Sequence, residues 1–333
     1  MAESAGMPAT KLKVGFSSNP RLKPLLDGAV TVEGVEFEWE FGNPGALFHR
    51  QLSENCFDMC EFSIADYLVT AHRPDWAHVQ WLALPVFISK PLFLLRKFHV
   101  WKGAGIKSFA DFGGKRLGVP DYGMTAAVWT RIMLRVLHGV HSKDITWYNG
   151  RPADKRHGHL LGIDHDVPGV KLINLERDTA LNEMIHRGEV DIAFGDDATV
   201  PLREGPEVYV FSTPEVLRAT LTDLYQQEKA SPVNHTVIIK KHFVDADPDL
   251  PARLYRAFEE SKRLSYEEAR QAAEGYLLFP DQDFSRQARQ LGDDPYPFGL
   301  DENRRTLELI GEQLAMDGLL PKKPDIDRLW LKV

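Results

Sequence analysis

Alternating hydrophobic and polar residues predict two β-strands near the start of the chain. Residues 11–17 alternate, and in residues 35–41 four apolar side chains alternate with three glutamates. A period of two is typical of a strand that buries one face. Pro44 then opens a predicted helix over residues 44–52, because proline is tolerated at the first position of a helix.

Strand-like and helix-like segments continue to alternate through the middle of the chain. Further strands are predicted at residues 57–62, 81–88, 93–100, 115–119, 145–148, 170–174, 190–194, 208–211 and 236–240. Helices are predicted from Ser63 onward and at residues 124–137, 179–187, 251–262, 265–274, 284–291 and 302–316. This order predicts an α/β fold with mainly parallel strands, arranged as two lobes with a helical tail. Residues 151–168, rich in Gly, His and Asp, are predicted to form a long surface loop.

Composition and charge narrow the classes of function. The 333 residues carry a net charge of −8. This acidic balance disfavours nucleic-acid binding and gives no reason to expect an anionic membrane surface as partner. Residues 1–10 lack the pattern of a secretory signal, and the longest apolar stretch, residues 81–88, is too short to span a bilayer. Cys56 and Cys60 suit buried free thiols in a reducing cytoplasm, which is the location we expect.

The first candidate for chemistry is the joint between a strand and a helix at residues 118–129. In open α/β sheets, ligands bind beyond the carboxyl ends of the strands. Gly123 permits a tight turn there, and a helix begins near Thr125. Unpaired amides at a helix start favour an anion, and Tyr122 offers a phenol or a stacking face. An ordinary capped helix is the alternative interpretation.

Three further positions carry candidate chemistry, each with a plain structural alternative. Ser63 can cap its helix or contact a ligand from that cap. Asp196, beside a second aspartate after the strand at residues 190–194, can accept hydrogen bonds or belong to a solvated turn. His235 precedes an apolar strand and can act as a general acid or remain a hydrogen-bonded core histidine.

A histidine- and aspartate-rich stretch in the predicted loop has the residue types of a metal site. Residues 157–166 hold three histidines and two aspartates, which suit zinc or another divalent ion. The spacing matches no rigid helical or strand pair, so a solvated loop is preferred and no metal is predicted. The sequence also lacks GxGxxG, P-loop, GxSxG and HExxH motifs.

Several separated motifs resemble, in order, those of the 4,5-dihydroxyphthalate decarboxylase family. The strongest is residues 118–129, GVPDYGMTAAVW. Others are PLLDG at 24–28, FDMCEFSIADY at 57–67, ALPVF at 83–87, DITWY at 144–148, NHTV at 234–237 and YPFGL at 296–300 with Asn303 and Arg304. The resemblance covers residues 12–330. It implies a fold similar to the type 2 periplasmic solute-binding proteins, with a ligand cleft between two lobes.

The resemblance further implies the lobe boundaries and the activity. The first lobe would comprise residues 11–100 plus 211–333, and the second residues 101–210. The activity implied is cytoplasmic removal of one carboxylate from a hydroxylated aromatic diacid, without an organic cofactor. The expected partner is a small aromatic carboxylate, with neither nucleic acid nor membrane involved and with homo-oligomers possible. The alternatives are a non-catalytic solute receptor, a transcriptional effector domain and a metal-assisted enzyme.

We assign roles to the candidate residues on this basis. The helix start at Thr125, with Tyr122 and Met124, is expected to hold one carboxylate. Arg21 and Lys90 are the expected charged partners, because a guanidinium grips a carboxylate bidentately and an ammonium acts as a point charge. The expected substrate-binding set is completed by Ser89, which precedes Lys90.

The remaining roles concern the proton and the ring hydroxyls. His235 is the expected general acid, because a proton must reach the ring carbon that bears the departing carboxylate. Ser63 and Asp196 are expected to bind the hydroxyls of the ring.

Overall fold

The computed structural model describes residues 9–88, 98–176, 181–195 and 200–333. Its strands are β1 Thr10–Phe16, β2 Val35–Phe41, β3 Met59–Ser63, β4 Trp81–Phe87, β5 Phe98–Trp101, β6 Arg116–Val119, β7 Thr146–Asn149, β8 Lys171–Asn174, β9 Ile192–Phe194, β10 Val208–Val210 and β11 His235–Lys240. Its α-helices are α1 Lys23–Leu26, α2 Pro44–Glu54, α3 Ile64–His72, α4 Thr125–His138, α5 His157–Leu160, α6 Leu181–His186, α7 Pro214–Glu228, α8 Lys241–Ala246, α9 Leu250–Tyr276, α10 Pro280–Leu291 and α11 Leu300–Met316.

The strands form two separate sheets. The first has the order β2-β1-β3-β11-β4 and the second the order β10-β5-β9-β6-β7-β8. The β1–β2, β1–β3, β6–β7, β6–β9 and β7–β8 pairs are parallel, as strand–helix alternation predicts. The strands β11, β5 and β10 are antiparallel to their neighbours. These three lie where the chain changes sheets, and an alternating pattern does not reveal the direction of such strands.

The chain passes from the first sheet to the second before Phe98. The strand β5 pairs with β9 and β10 in the second sheet, so the first crossing lies earlier than the expected boundary at residue 100. The return passage follows β10, because the next strand, β11, pairs with β3 and β4 in the first sheet. Strands β1–β4 and β11 thus lie in one sheet, and strands β5–β10 lie in the other.

Two predictions for the helices are corrected. The helix α9 runs without a break through residues 263–264, where two separate helices were expected. Arg263 explains the continuity in part, because its guanidinium pairs with Glu260 and Glu267 one helical turn to either side. The helix α7 was not predicted; Thr213 caps its start by accepting a hydrogen bond from the Val216 amide. No helix in the described part of the chain is long and apolar enough to cross a membrane.

The prediction of a surface loop at residues 151–168 is wrong for much of that segment. Arg151, Arg156, His157 and Asp164 are all buried. Burial is tolerated because the charges have partners: Arg156 Nη1 donates to the Asp164 carboxylate at 2.8 Å, and Arg156 Nη2 donates to the carbonyl of Arg151 at 2.8 Å. The polar side chains of this segment thus form a buried hydrogen-bonded network rather than a solvent-exposed surface.

Candidate functional site

A cleft lies where three helix starts meet the beginning of β11. Its empty space is about 540 Å³, part of it open to solvent. The lining residues are Asn43, Pro44, Gly45, Phe48, Ser63, Met124, Thr125, Ala126, Arg151, His157, Asn234 and His235. Because α2 and α3 follow strands of the first sheet and α4 follows a strand of the second, residues of both lobes form the walls.

The starts of α3 and α4 contact each other at the floor of this cleft. The hydroxyl oxygens of Ser63 and Thr125 lie 3.0 Å apart, and Thr125 Oγ1 also accepts from the Ala65 amide at 3.0 Å. Ser63 caps α3 by accepting from the Asp66 amide. The carbonyl of Asn234 accepts from the Ile64 amide. The first amides of α3 are therefore already satisfied by protein groups.

The start of α4 offers amides to a ligand. Among the described residues, no acceptor is present for the amides of Thr125, Ala126 and Ala127, and the capping residue Met124 makes no side-chain hydrogen bond to the helix. Unpaired N–H groups and the positive end of the helix dipole together favour an anion. Met124, Thr125 and Ala126 line the cleft, so an anion bound there would lie inside it.

His235 is held in one orientation by a buried carboxylate. Its Nδ1 donates to Glu61 Oε1 at 2.6 Å, and its ring meets Phe48 edge to face with centroids 4.9 Å apart. Glu61 also accepts hydrogen bonds from the amide and the hydroxyl of Ser17. Nδ1 is occupied in this way, so Nε2 is the ring nitrogen available to a ligand in the cleft.

Glu61 remains ionised although it lies inside the first lobe. Burial opposes the charged form, but the positive charge and hydrogen bond of His235, with the two hydrogen bonds from Ser17, bring the pKa of Glu61 below its ordinary value. The side chain of Glu61 is 2% exposed and that of His235 is 18% exposed. The carboxylate of Glu61 is thus shielded from solvent behind the imidazole of His235, and one edge of that imidazole reaches the cleft.

The depressed pKa of Glu61 predicts a loss of stability in acid. A carboxyl whose folded pKa is lowered contributes stability above its ordinary pKa, and that contribution is lost as pH falls through the folded value. Glu61→Gln is expected to lower the free energy of unfolding at pH 7 by about 1.5–3 kcal/mol, the range for hydrogen bonds to charged groups. Urea titrations from pH 7 to pH 3 should show the difference from wild type shrinking with acidification. A constant difference across that range would contradict the assignment.

Arg151 and His157 also line the cleft, and Arg151 brings a positive charge to it. The Arg151 guanidinium lies over Gly45, where a Cβ would come within 3.0 Å of Nη2, so the absence of a side chain gives it room. His157 lies 2.8 Å from Asp66 Oδ2 through Nδ1 and 2.9 Å from the Gly45 carbonyl through Nε2. Both ring nitrogens of His157 thus face hydrogen-bond acceptors.

Four of the predicted site residues lie together in the cleft. Ser63, Met124, Thr125 and His235 all line it, although they come from three distant parts of the sequence. The strand register explains one juxtaposition, because His235 in β11 is directly opposite Ser63 in β3. The predictions for Ser89, Lys90 and Asp196 fall outside the described residues.

The predicted ligand role of Tyr122 is corrected by its position. The ring is fully buried. It packs edge to face against Trp147 and lies 3.9 Å from the Arg131 guanidinium carbon. Burial raises the pKa of the phenol to about 12. Arg131 in turn pairs with buried Asp317 at 2.7 Å, so Tyr122 belongs to the packing behind α4 and not to the cleft.

The predicted role of Arg21 as a carboxylate partner is also not supported by its position. Its guanidinium stacks over the ring of Tyr296 at 4.0 Å and donates to the carbonyl of Ile88 at the end of β4. Burial is the main reason why the pKa of Arg21 is lowered. Arg21 does not line the cleft as the described residues define it.

The site residues that the sequence reasoning missed are Glu61, Arg151 and His157. One signal was available for Glu61, because a lone carboxylate within the apolar strand β3 requires a buried partner. Arg151 and His157 lie in the segment that was predicted to be a solvated loop. The same segment holds the buried ion pair between Arg156 and Asp164, and a polar composition does not reveal such pairing.

Two α/β lobes with a cleft lined by residues of both define a protein of the periplasmic-binding-protein-like fold. The structure is similar to the periplasmic aliphatic sulphonate-binding protein SsuA of Escherichia coli, with a TM-score of 0.54, 14% identity and coverage of 97% of this chain and 92% of that one. It is also similar to the alkanesulfonate-binding protein SsuA of Xanthomonas axonopodis pv. citri, with a TM-score of 0.50, 11% identity and coverage of 98% and 100%. At these identities the likeness concerns the fold alone.

Sequence relatives define the family more narrowly. The chain is 31% identical over 322 residues to a 4,5-dihydroxyphthalate decarboxylase of Comamonas testosteroni, and 95% of each chain is covered. It is 31% identical over 207 residues to a 4,5-dihydroxyphthalate decarboxylase of Pseudomonas putida, covering 61% of this chain and 78% of that one. No family model matches the sequence. The chain belongs to the 4,5-dihydroxyphthalate decarboxylase family.

Proposed function

We propose that this protein decarboxylates a hydroxylated aromatic dicarboxylate such as 4,5-dihydroxyphthalate. One observation carries the proposal: the imidazole of His235, oriented by Glu61, shares a cleft with the amides that begin α4. A proton donor and an anion-binding site therefore line the same small cleft. The named activity of a relative that is matched over 95% of its length supports the same chemistry. The proposed location is the cytoplasm, which suits the free thiols of Cys56 and Cys60.

The two carboxylates of the substrate would occupy different walls of the cleft. One would accept hydrogen bonds from the amides of Thr125 and Ala126, with the helix dipole favouring its charge. The guanidinium of Arg151 is the proposed partner of the other, because arginine matches the planar geometry of a carboxylate. Local positive groups are needed to draw a dianion to a protein whose net charge is −8.

The proton transfer is assigned to His235. Protonated Nε2 would give its proton to the ring carbon that bears the departing carboxylate, and ring π electrons would form the new C–H bond. The hydroxyl para to that carbon supplies electron density. The carbon–carboxylate bond then breaks, its electron pair restores the aromatic ring, and carbon dioxide leaves. The reaction consumes one proton, which solvent returns to His235.

Glu61 acts on this step through His235. Its negative charge stabilises the imidazolium form that donates the proton, and its hydrogen bond fixes which ring nitrogen faces the substrate. The proposed role is therefore one of positioning, because Glu61 lies behind the imidazole. All steps of the proposed mechanism are assigned to side chains and backbone amides.

The expected activity is tested with substrates that differ in one group. Purified protein mixed with 4,5-dihydroxyphthalate is expected to release one equivalent of carbon dioxide and one of the dihydroxybenzoate, measured by gas analysis and chromatography. Phthalate is the matched control, because it keeps both carboxylates and lacks the electron-donating hydroxyls. Saturable binding of 4,5-dihydroxyphthalate without gas release would instead favour the alternative of a solute-binding protein.

A further inference from the structure

A second cluster of metal-ligating side chains lies outside the cleft, in the segment that follows α5. The residues are His159, Asp164 and His165, and one ligand atom from each falls within 4.8 Å of the other two. His159 Nδ1 is 3.5 Å from Asp164 Oδ2, and His165 Nε2 is 2.9 Å from Asp164 Oδ1. None of the three residues lines the cleft.

The spacing of these atoms suits a shared cation. Bonds of about 2.0–2.2 Å from a tetrahedral zinc ion to nitrogen or oxygen place neighbouring ligand atoms about 3.3–3.6 Å apart. The separation of 3.5 Å between His159 Nδ1 and Asp164 Oδ2 lies inside that interval. The separation of 2.9 Å between His165 Nε2 and Asp164 Oδ1 is shorter, and a turn of the exposed His165 ring would lengthen it. The third separation, between the two imidazoles, can close by rotation, because both histidine side chains are at least half exposed.

An unsatisfied oxygen points to the same site. Asp164 is buried, and its Oδ1 accepts no hydrogen bond of acceptable geometry from the described residues. His165 Nε2 nevertheless lies 2.9 Å away. Two polar atoms that are close but not aimed at each other are the arrangement expected when both are directed at a third atom. A buried carboxylate oxygen without a partner is also costly, and a cation would remove that cost.

The surroundings hold the cluster in place without filling it. Arg156 donates to Asp164 Oδ2 and anchors the carboxylate, leaving Oδ1 toward His165. The Asn174 side-chain amide bonds to the carbonyl of Asp164 at 2.8 Å and lies 3.4 Å from His165 Nδ1. The bond to the carbonyl of Asp164 steadies the backbone that carries the carboxylate, and outer-shell hydrogen bonds orient carboxylate ligands in many metal sites. The positive charge of Arg156 reduces the net attraction of the cluster for a cation. Binding of a cation therefore requires both neutral imidazoles as ligands.

We propose that His159, Asp164 and His165 bind one divalent transition-metal ion, zinc in the first instance. Two imidazoles and one carboxylate match the donor preference of zinc, and the exposed side of the cluster leaves water to complete the coordination. Magnesium is disfavoured, because it prefers oxygen ligands and gives up its waters reluctantly.

The ion would brace the wall of the cleft. His159 lies in α5, whose first residue is the cleft residue His157, and the Gly158 amide donates to Asp121 just before α4. Joining α5 to Asp164 and His165 would therefore restrict the segment that carries Arg151 and His157. The role assigned to the ion is structural and is independent of the proposed proton transfer.

The test is calorimetric titration of the chelator-treated full-length protein with ZnCl₂. Wild type is expected to bind one zinc ion saturably and to unfold at a higher temperature when zinc is present, whereas MgCl₂ gives neither effect. His159→Ala and His165→Ala are each expected to weaken zinc binding by at least about tenfold, since even loss of an outer-shell partner costs this much. Both side chains are exposed, so the variants are expected to keep the far-ultraviolet dichroism of wild type.

A control substitution at another histidine and a titration with a second metal make the test more specific. His242→Ala removes an exposed histidine of α8 and is expected to leave zinc affinity unchanged. Cobalt(II) is expected to give visible absorption bands of a nitrogen- and oxygen-ligated ion in wild type, and the double variant of His159 and His165 is expected to lose them. Zinc affinity that is equal in the double variant and wild type, or the absence of saturable binding in wild type, would overturn the proposal.

Discussion

Replacing His235 with glutamine is expected to lower turnover by about 10²- to 10⁴-fold while leaving the affinity for the aromatic diacid nearly unchanged. Glutamine can still donate a hydrogen bond to Glu61 and fill much of the space beside Phe48. It has no proton to transfer near neutral pH. The carboxylate contacts proposed at α4 and Arg151 are untouched, so the effect should fall on kcat and not on KM.

The measurement compares kcat and the dissociation constant of each variant for 4,5-dihydroxyphthalate. His242→Gln is the matched control, because it makes the same chemical change at an exposed position outside the cleft. Binding is followed separately by calorimetry with phthalate, which keeps both carboxylates and lacks the hydroxyls. Turnover of His235→Gln at the wild-type rate would remove this imidazole from the mechanism.

Replacing Arg151 with methionine is expected to weaken binding of the diacid by about 10- to 100-fold. A hydrogen bond to a charged group is worth about 1.5–3 kcal/mol, which corresponds to a loss of this size. The penalty should be larger for the diacid than for a dihydroxybenzoate, because the monoacid has a single carboxylate and can place it at the start of α4. Arg151→Lys should recover part of the affinity, since the charge is kept and the bidentate geometry is lost.

Binding of both acids is measured for each variant, with thermal unfolding as a check that the fold is kept. The control is Arg263→Met on α9, an exposed arginine paired with Glu260 and Glu267. An equal loss for the diacid and the monoacid would show that Arg151 does not distinguish the second carboxylate. Unchanged affinity for both acids would exclude it from the site.

The parts of the fold that depend on local pattern could be predicted from the sequence. Strict alternation gave β2 with its observed bounds, because each residue of a half-buried strand faces either core or solvent. The start of α3 was equally clear, because the Ser63 hydroxyl accepts from the Asp66 amide three residues later. The start of α4 at Thr125 is also local, since it follows a strand and a glycine turn.

The assembly of the site depends on contacts that no local pattern contains. Glu61 and His235 are 174 residues apart in the chain and meet only because β11 returns from the second lobe to pair with β3. The apolar pattern of a strand predicts that the strand is buried, but it does not identify the neighbouring strands in the sheet. The same limit explains why His235 could be predicted as an acid while the carboxylate behind it was missed.

Tyr122 and Arg151 show a second difficulty: the sequence does not predict the direction in which a side chain points. Tyr122 lies three residues before Thr125, yet its ring turns inward to Trp147 and Arg131. Arg151 follows β7 in a segment of polar composition, yet it is buried against Gly45. In both cases the outcome is decided by a distant partner, an arginine in the first case and a glycine in the second.

The hydrogen bond between the hydroxyls of Ser63 and Thr125 has a consequence for catalysis. It joins the cap of α3 to the first residue of α4, a helix of the other lobe, and both residues are buried. The donors on either side of the cleft are thus preorganised by the protein before any ligand arrives. When charge leaves a carboxylate during bond cleavage, the surrounding dipoles need no rearrangement, and the barrier carries no reorganisation penalty from this part of the structure.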